Sequence, residues 1–128
     1  MPRRTLRLTR GEQEWLSAYR QALTAQFPGA VEKVLLYGSK ARGDAGPESD
    51  LDVLLLVTDG AGGLRRAMRR PGYLLAAAAE VVPSIMACTR GEWDQRKEIG
   101  SSFRRNVERD GVRIPGRRDW CSPRATAR

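Results

Sequence analysis

The stretch LLYGSKARGDAGPESDLDVLLLV, residues 35–57, holds two apolar runs, with Gly38-Ser39 closing the first and Asp50 and Asp52 opening the second. The flanking VEKVLLYG (31–38) and DLDVLLLV (50–57) are rich in β-branched and aliphatic residues, and the second is almost continuously apolar. Runs of this length and composition predict strands, the second covered on both faces. Between them SKARGDAGPES (39–49) contains Gly43, Gly46 and Pro47 and is too short for a crossover helix. A brief helical turn and a loop are expected there.

Side chains two apart on a strand point to the same side, so Asp50 and Asp52 are expected to present their carboxylates together. Like charges so placed repel, and two readings relieve the repulsion. In one, a divalent cation sits between them; hard oxygen ligands suit magnesium, which shares its shell with water and substrate phosphates. In the other, Asp50 caps the strand end and Asp52 pairs with an arginine. The Gly-Ser pair also reads two ways. It is an ordinary turn, or Gly38 allows close backbone approach while Ser39 and the following N–H groups cradle phosphate, with Lys40 and Arg42 adding positive charge. If the two strands are neighbours, both features lie at one sheet end, where a nucleoside triphosphate could be gripped between them.

Outward from this stretch the pattern alternates. Thr9-Arg-Gly-Glu12 has the form of a capping box, and Trp15, Tyr19, Ala22 and Leu23 recur at helical spacing until Pro28-Gly29. After TDGAGG (58–63) comes a helical stretch interrupted by Pro71-Gly72, in which YLLAAAAEVV (73–82) is the firmer half. VVPSIMACT (81–89) reads as a third strand. Thr89-Arg-Gly-Glu92 repeats the capping box before a helix carrying Trp93, Gly100-Ser-Ser interrupts it, and Phe103 and Val107 belong to a last helical piece. Asp110-Gly111 turns the chain into VRI. Trp15 and Trp93 are expected in the core, and LLAAAA (74–79) as a helix packed closely on the sheet. These elements predict an α/β (α+β) fold: a small mixed sheet flanked by helices.

The chain has 128 residues, suited to one domain over 1–114 with a basic tail over 115–128, expected to be solvated and disordered, that carries Trp120. Its formal charge of +8 implies attraction to polyanions, and LRRAMRR (64–70) and the tail hold much of it. Nucleic acid is a possible partner but not the primary one, because no RNA-binding motif accompanies these runs. There is no histidine, which removes His-based acid/base catalysis, His metal ligands and Ser-His-Asp triads. Two cysteines, Cys88 and Cys121, do not form a disulfide scaffold. With no signal peptide and no apolar run of membrane length, a cytoplasmic location is expected.

Gly38-Ser39, ten intervening residues and Asp50-Leu51-Asp52 resemble the signature of the DNA polymerase beta-type nucleotidyltransferase superfamily. GSKARGDAGPESDLDVLLLV (38–57) is most similar to its small stand-alone members, the minimal nucleotidyltransferases (MNT). TRGEW (89–93) and SSFRRNVERDGV (101–112) resemble later segments of these proteins, so the likeness runs to about Ile114. It implies a nucleotidyltransferase fold and transfer of a nucleoside monophosphate from a triphosphate to a hydroxyl. Gly38, Ser39, Lys40 and Arg42 would then bind the nucleotide, with Arg42 on the leaving pyrophosphate. Asp50 and Asp52 would be the catalytic, metal-binding pair, holding Mg2+, for which Mn2+ can substitute.

Many such proteins carry a third carboxylate on a neighbouring strand. Here the expected position falls at Ser84, a poor magnesium ligand and no general base at neutral pH. Glu80, just before that strand, is expected on the surface. MNT proteins are commonly paired with HEPN-domain ribonuclease toxins, so the resemblance implies an antitoxin that transfers AMP from ATP to a tyrosine of such a partner. The alternatives are a nucleotide-binding module that masks its partner without chemistry, and a small-molecule nucleotidyltransferase, for which the chain lacks a second domain to form the acceptor pocket.

Overall fold

The computed structural model describes residues 8–38 and 50–114. Ser39, Lys40 and Arg42, the turn expected over 39–49, and the tail with Trp120 and Cys121 lie outside the described residues.

Helix α1 (Arg10–Gln26) begins at the predicted box: Thr9 Oγ1 accepts from the Glu12 N–H at 3.0 Å, and Glu12 Oε1 accepts from the Thr9 N–H at 2.9 Å. Each of these bonds satisfies a donor that a helix start otherwise leaves without an intrahelical partner. Strands β1 (Val31–Tyr37) and β2 (Leu51–Val57) follow, then a 3-10 helix (Asp59–Leu64) continuing into α2 (Arg65–Ala79). After β3 (Pro83–Thr89) come α3 (Arg90–Glu98), α4 (Ser102–Asp110) and the short β4 (Val112–Ile114).

The sheet has the order β3-β2-β1-β4, with β2 parallel to β3 and β1 antiparallel to both β2 and β4. It is the small mixed sheet flanked by helices that the sequence predicts. Alternation along the strands divides the core in two. Val34, Leu36, Leu51, Val53, Leu55, Val57 and Ile85 pack with Trp15, Leu16, Tyr19 and Leu23 of α1 and Met68 and Ala76 of α2. On the other face Leu54, Leu56 and Cys88 meet Trp93 of α3 and Val107 of α4, with Leu35, Tyr37 and Phe103 beside them. Every position of β2 is buried except Asp52.

Pro71 does not break α2, which runs through it. Proline removes one N–H from the helical ladder, but long-range bonds fasten the same turns: Tyr19 Oη donates to the Met68 carbonyl at 2.7 Å and Trp15 Nε1 to the Gly72 carbonyl at 2.8 Å. Gly72 is buried against Tyr19 and Ile85. The helix ends at Glu80, exposed and in the left-handed conformation at φ +58°, so its carboxylate is on the surface as expected.

The second capping box is also present, and it does more than cap. Glu92 Oε1 accepts from the Thr89 N–H at 3.0 Å and pairs with Arg65 at the start of α2. Asp59 Oδ1 accepts from the neighbouring Gly91 N–H at 2.7 Å. At the other end of β3, Tyr73 Oη accepts from the Ile85 N–H at 3.2 Å. The edge strand is therefore fastened at both ends.

Candidate functional site

The end of β1 and the beginning of β2 meet at one end of the sheet. Tyr37 on β1 is the register partner of Asp52, and Ser84 on parallel β3 is its partner on the other side. Asp52 thus lies in the middle of three adjacent strands, on the face shared with α3 and α4. Asp50 is exposed and immediately precedes β2, which starts at Leu51; the Leu51 N–H donates to the Val82 carbonyl at 2.9 Å. The even-numbered alternation that assigns Leu54 and Leu56 to this face assigns Asp52 to it as well.

Gly38 follows Tyr37 with φ +78°. A β-carbon there would collide with the Asp52 carboxylate, whose Oδ2 occupies that space. Glycine is required for two reasons: the left-handed backbone, and the approach of the carboxylate to the start of the Gly-Ser turn. Gly38 and Asp52, two of the residues expected in the site and 14 positions apart in sequence, are in this way brought together. Ser39, Lys40 and Arg42 belong to the segment outside the described residues.

Ser84 stands where a carboxylate on β3 would adjoin Asp52, and its hydroxyl offers a hydrogen bond in place of a charge. Among the described residues no group of three or more His, Cys, Asp or Glu forms a cation cage. Asp52 at the end of the sheet and Asp50 just before β2 offer carboxylate oxygens, which fit an ion completing its shell with water and phosphate oxygens.

Residues that the sequence reading did not assign to the site also adjoin it. Tyr37 is half-buried, and burial, followed by the Asp52 and Tyr73 charges, pushes its hydroxyl up to about 12, so it stays a neutral phenol at physiological pH. Its ring meets Phe103 edge-on at 5.5 Å, Phe103 meets Trp93 edge-on at 6.4 Å, and Arg96 lies 5.2 Å over Phe103. Tyr37, the register partner of Asp52, stands at the head of this row of rings. The signal available in sequence was the phase of Tyr37, an odd position on β1 like Leu35, which turns it away from the α1 side.

The four-stranded mixed sheet with helices on both faces is an α/β nucleotidyltransferase-like fold. The model of the nucleotidyltransferase domain matches residues 16–108, and the chain belongs to that family. The chain is 31% identical over 100 residues to the "Putative protein adenylyltransferase" of Methanocaldococcus jannaschii, a match covering 78% of this chain and 94% of the relative. Among solved structures it resembles a "putative nucleotidyltransferase" from Sulfolobus solfataricus, with a TM-score of 0.52 and 22% identity, covering 84% of this chain and 83% of that one. The crystal structure of a "toxin-antitoxin with AMP-PNP" shares the fold, with a TM-score of 0.52 and 17% identity over 81% of this chain and 73% of that one. No helix among the described residues is long and apolar enough to cross a membrane.

Proposed function

We propose that the chain transfers AMP from ATP to a tyrosine hydroxyl of a partner protein. The observation that carries this reading is the approach of Asp52 to Gly38, because it joins the Asp52 carboxylate to the start of the Gly-Ser turn in a chain of the nucleotidyltransferase family. Asp50 and Asp52 would hold Mg2+ or Mn2+, and Gly38, Ser39, Lys40 and Arg42 would hold the triphosphate. A divalent ion, when bound, neutralises phosphate oxygens and stabilises charge on the departing group. The tyrosine oxygen attacks the α-phosphorus, the bond from that phosphorus to the bridging oxygen breaks, and pyrophosphate leaves. The phenolic proton passes to solvent or to a carboxylate of the aspartate pair.

The similarity to a "Putative protein adenylyltransferase" along nearly its whole length supports a protein acceptor. The fold shared with a toxin–antitoxin assembly supports an antitoxin role for this chain, and the resemblance to the minimal nucleotidyltransferases suggests a HEPN-type toxin as that acceptor. Ser84 favours a second reading, in which the domain binds nucleotide and masks its partner without chemistry.

Incubation with magnesium and ATP, with and without the protein encoded beside it, followed by intact mass measurement, tests both. A gain of one or more AMP units on the neighbour, lost in the D50N/D52N variant, is the expected result. Neutralisation of the neighbour by that double variant, with no mass change in either case, would establish masking.

A further inference from the structure

We infer that the outer face of α2 is the docking surface for an acidic, apolar-containing segment of the protein that this chain acts on, an inference that rests on the protein-acceptor reading above. One face of α2, through Met68, Gly72 and Ala76, is buried. Arg66, Arg69, Arg70, Tyr73 and Leu74 recur at spacings of three and four and so form a single stripe on the opposite side.

The three arginines of this stripe differ from five others among the described residues. Arg10, Arg65, Arg90, Arg104 and Arg109 each pair with a carboxylate, whereas Arg66, Arg69 and Arg70 form no ion pair among the described residues. A cluster of like charges without counter-ions is complementary to an acidic ligand.

Position ties this stripe to the site. Arg65 pairs with Glu92 beyond the C-terminal end of β3, while Tyr73 reaches Ile85 near its start, so α2 runs antiparallel to β3 along the open edge of the sheet. Ile85 follows Ser84, the register partner of Asp52. A segment lying along α2 therefore passes from the arginines to Tyr73 and arrives at the start of β3, where Ser84 is the register partner of Asp52. The apolar part of the strip distinguishes a protein ligand from nucleic acid. Leu74 is 62% exposed, and Val82, just before β3, is 64% exposed. Both are aliphatic, and the one aromatic ring has its hydroxyl engaged by β3, so no series of stacking platforms is offered to bases.

The probe is a fluorescein-labelled random copolymer of glutamate and tyrosine, with binding read by anisotropy in the absence of nucleotide. The intact chain is expected to bind it, less tightly as salt rises, and R66Q/R69Q/R70Q is expected to bind at least roughly tenfold more weakly. A K33Q/K97Q/R113Q variant removes the same charge elsewhere and should lose less than about twofold. The D50N/D52N variant should bind as the intact chain does, which separates failure of docking from failure of transfer. Absence of binding, equal loss in both triple variants, or tighter arginine-dependent binding of an oligouridylate of the same length would each overturn the inference, the last in favour of nucleic acid.

Discussion

Gly38 and Asp52 share a space that only a residue without a side chain leaves open: the carboxylate lies where a β-carbon at 38 would be, and the backbone at 38 is left-handed. In Gly38→Ala the aspartate must rotate away, and the left-handed backbone adds about 1 kcal/mol of strain. The expected outcome is a stability loss of roughly 1–2 kcal/mol in urea unfolding, together with transfer activity reduced about 100-fold or more. A variant that is destabilised yet fully active would separate the glycine from the site.

Ser84 invites the reverse experiment. In Ser84→Asp a carboxylate is placed beside Asp52 on the neighbouring strand. Without metal the like charges repel and the melting temperature falls; with Mn2+ the added ligand raises affinity by roughly tenfold or more. Isothermal titration with Mn2+ and melts in its presence and absence check both signs.

Gly72→Ala sets two effects against each other. Alanine favours a helix interior by about 0.5–1 kcal/mol over glycine. Its β-carbon, however, would lie 2.6 Å from Ile85 Cδ1 and 2.9 Å from Tyr19 Cζ, and Tyr19 is pinned by its bond to the Met68 carbonyl. Overpacking of this kind costs about 1–3 kcal/mol, so net destabilisation is expected in denaturant unfolding.

Glu92 predicts an acid limb. The Arg65 guanidinium first, then the Thr89 N–H, hold its carboxyl below the usual carboxylate range. A group with a depressed folded-state pKa stabilises above its unfolded value, about 4.3, and that contribution is lost as pH falls through the folded value. Glu92→Gln should flatten the stability profile below about pH 4.5 relative to the parent chain. At neutral pH, Glu92→Ala should cost about 0.5–2 kcal/mol, since it removes half of a capping box.

What was legible in the sequence was local. Both capping boxes, the two strands of the opening stretch and the burial of Trp15 and Trp93 follow from signals spanning a few residues, and all are present. The continuity of α2 through Pro71 was not legible, because the bonds that fasten those turns come from Trp15 and Tyr19, about 50 residues away. Ser84 is the register partner of Asp52 through the parallel pairing of β2 and β3. Tyr37 and Tyr73 were not singled out, since their nearness to that point depends on strand order and on the path of a helix along an edge.

The fastening of β3 has a further consequence, for self-association. Val82 directs its carbonyl at β2, so the odd-numbered residues of β3 turn their backbone groups outward. Pro83 has no N–H, that of Ile85 is taken by Tyr73 and that of Thr89 by Glu92, leaving Ala87 as the one outward donor of β3 still to be matched among the described residues. An edge with so few free donors is a poor template for another strand, so this side of the sheet is guarded against pairing with a second copy of the basic domain.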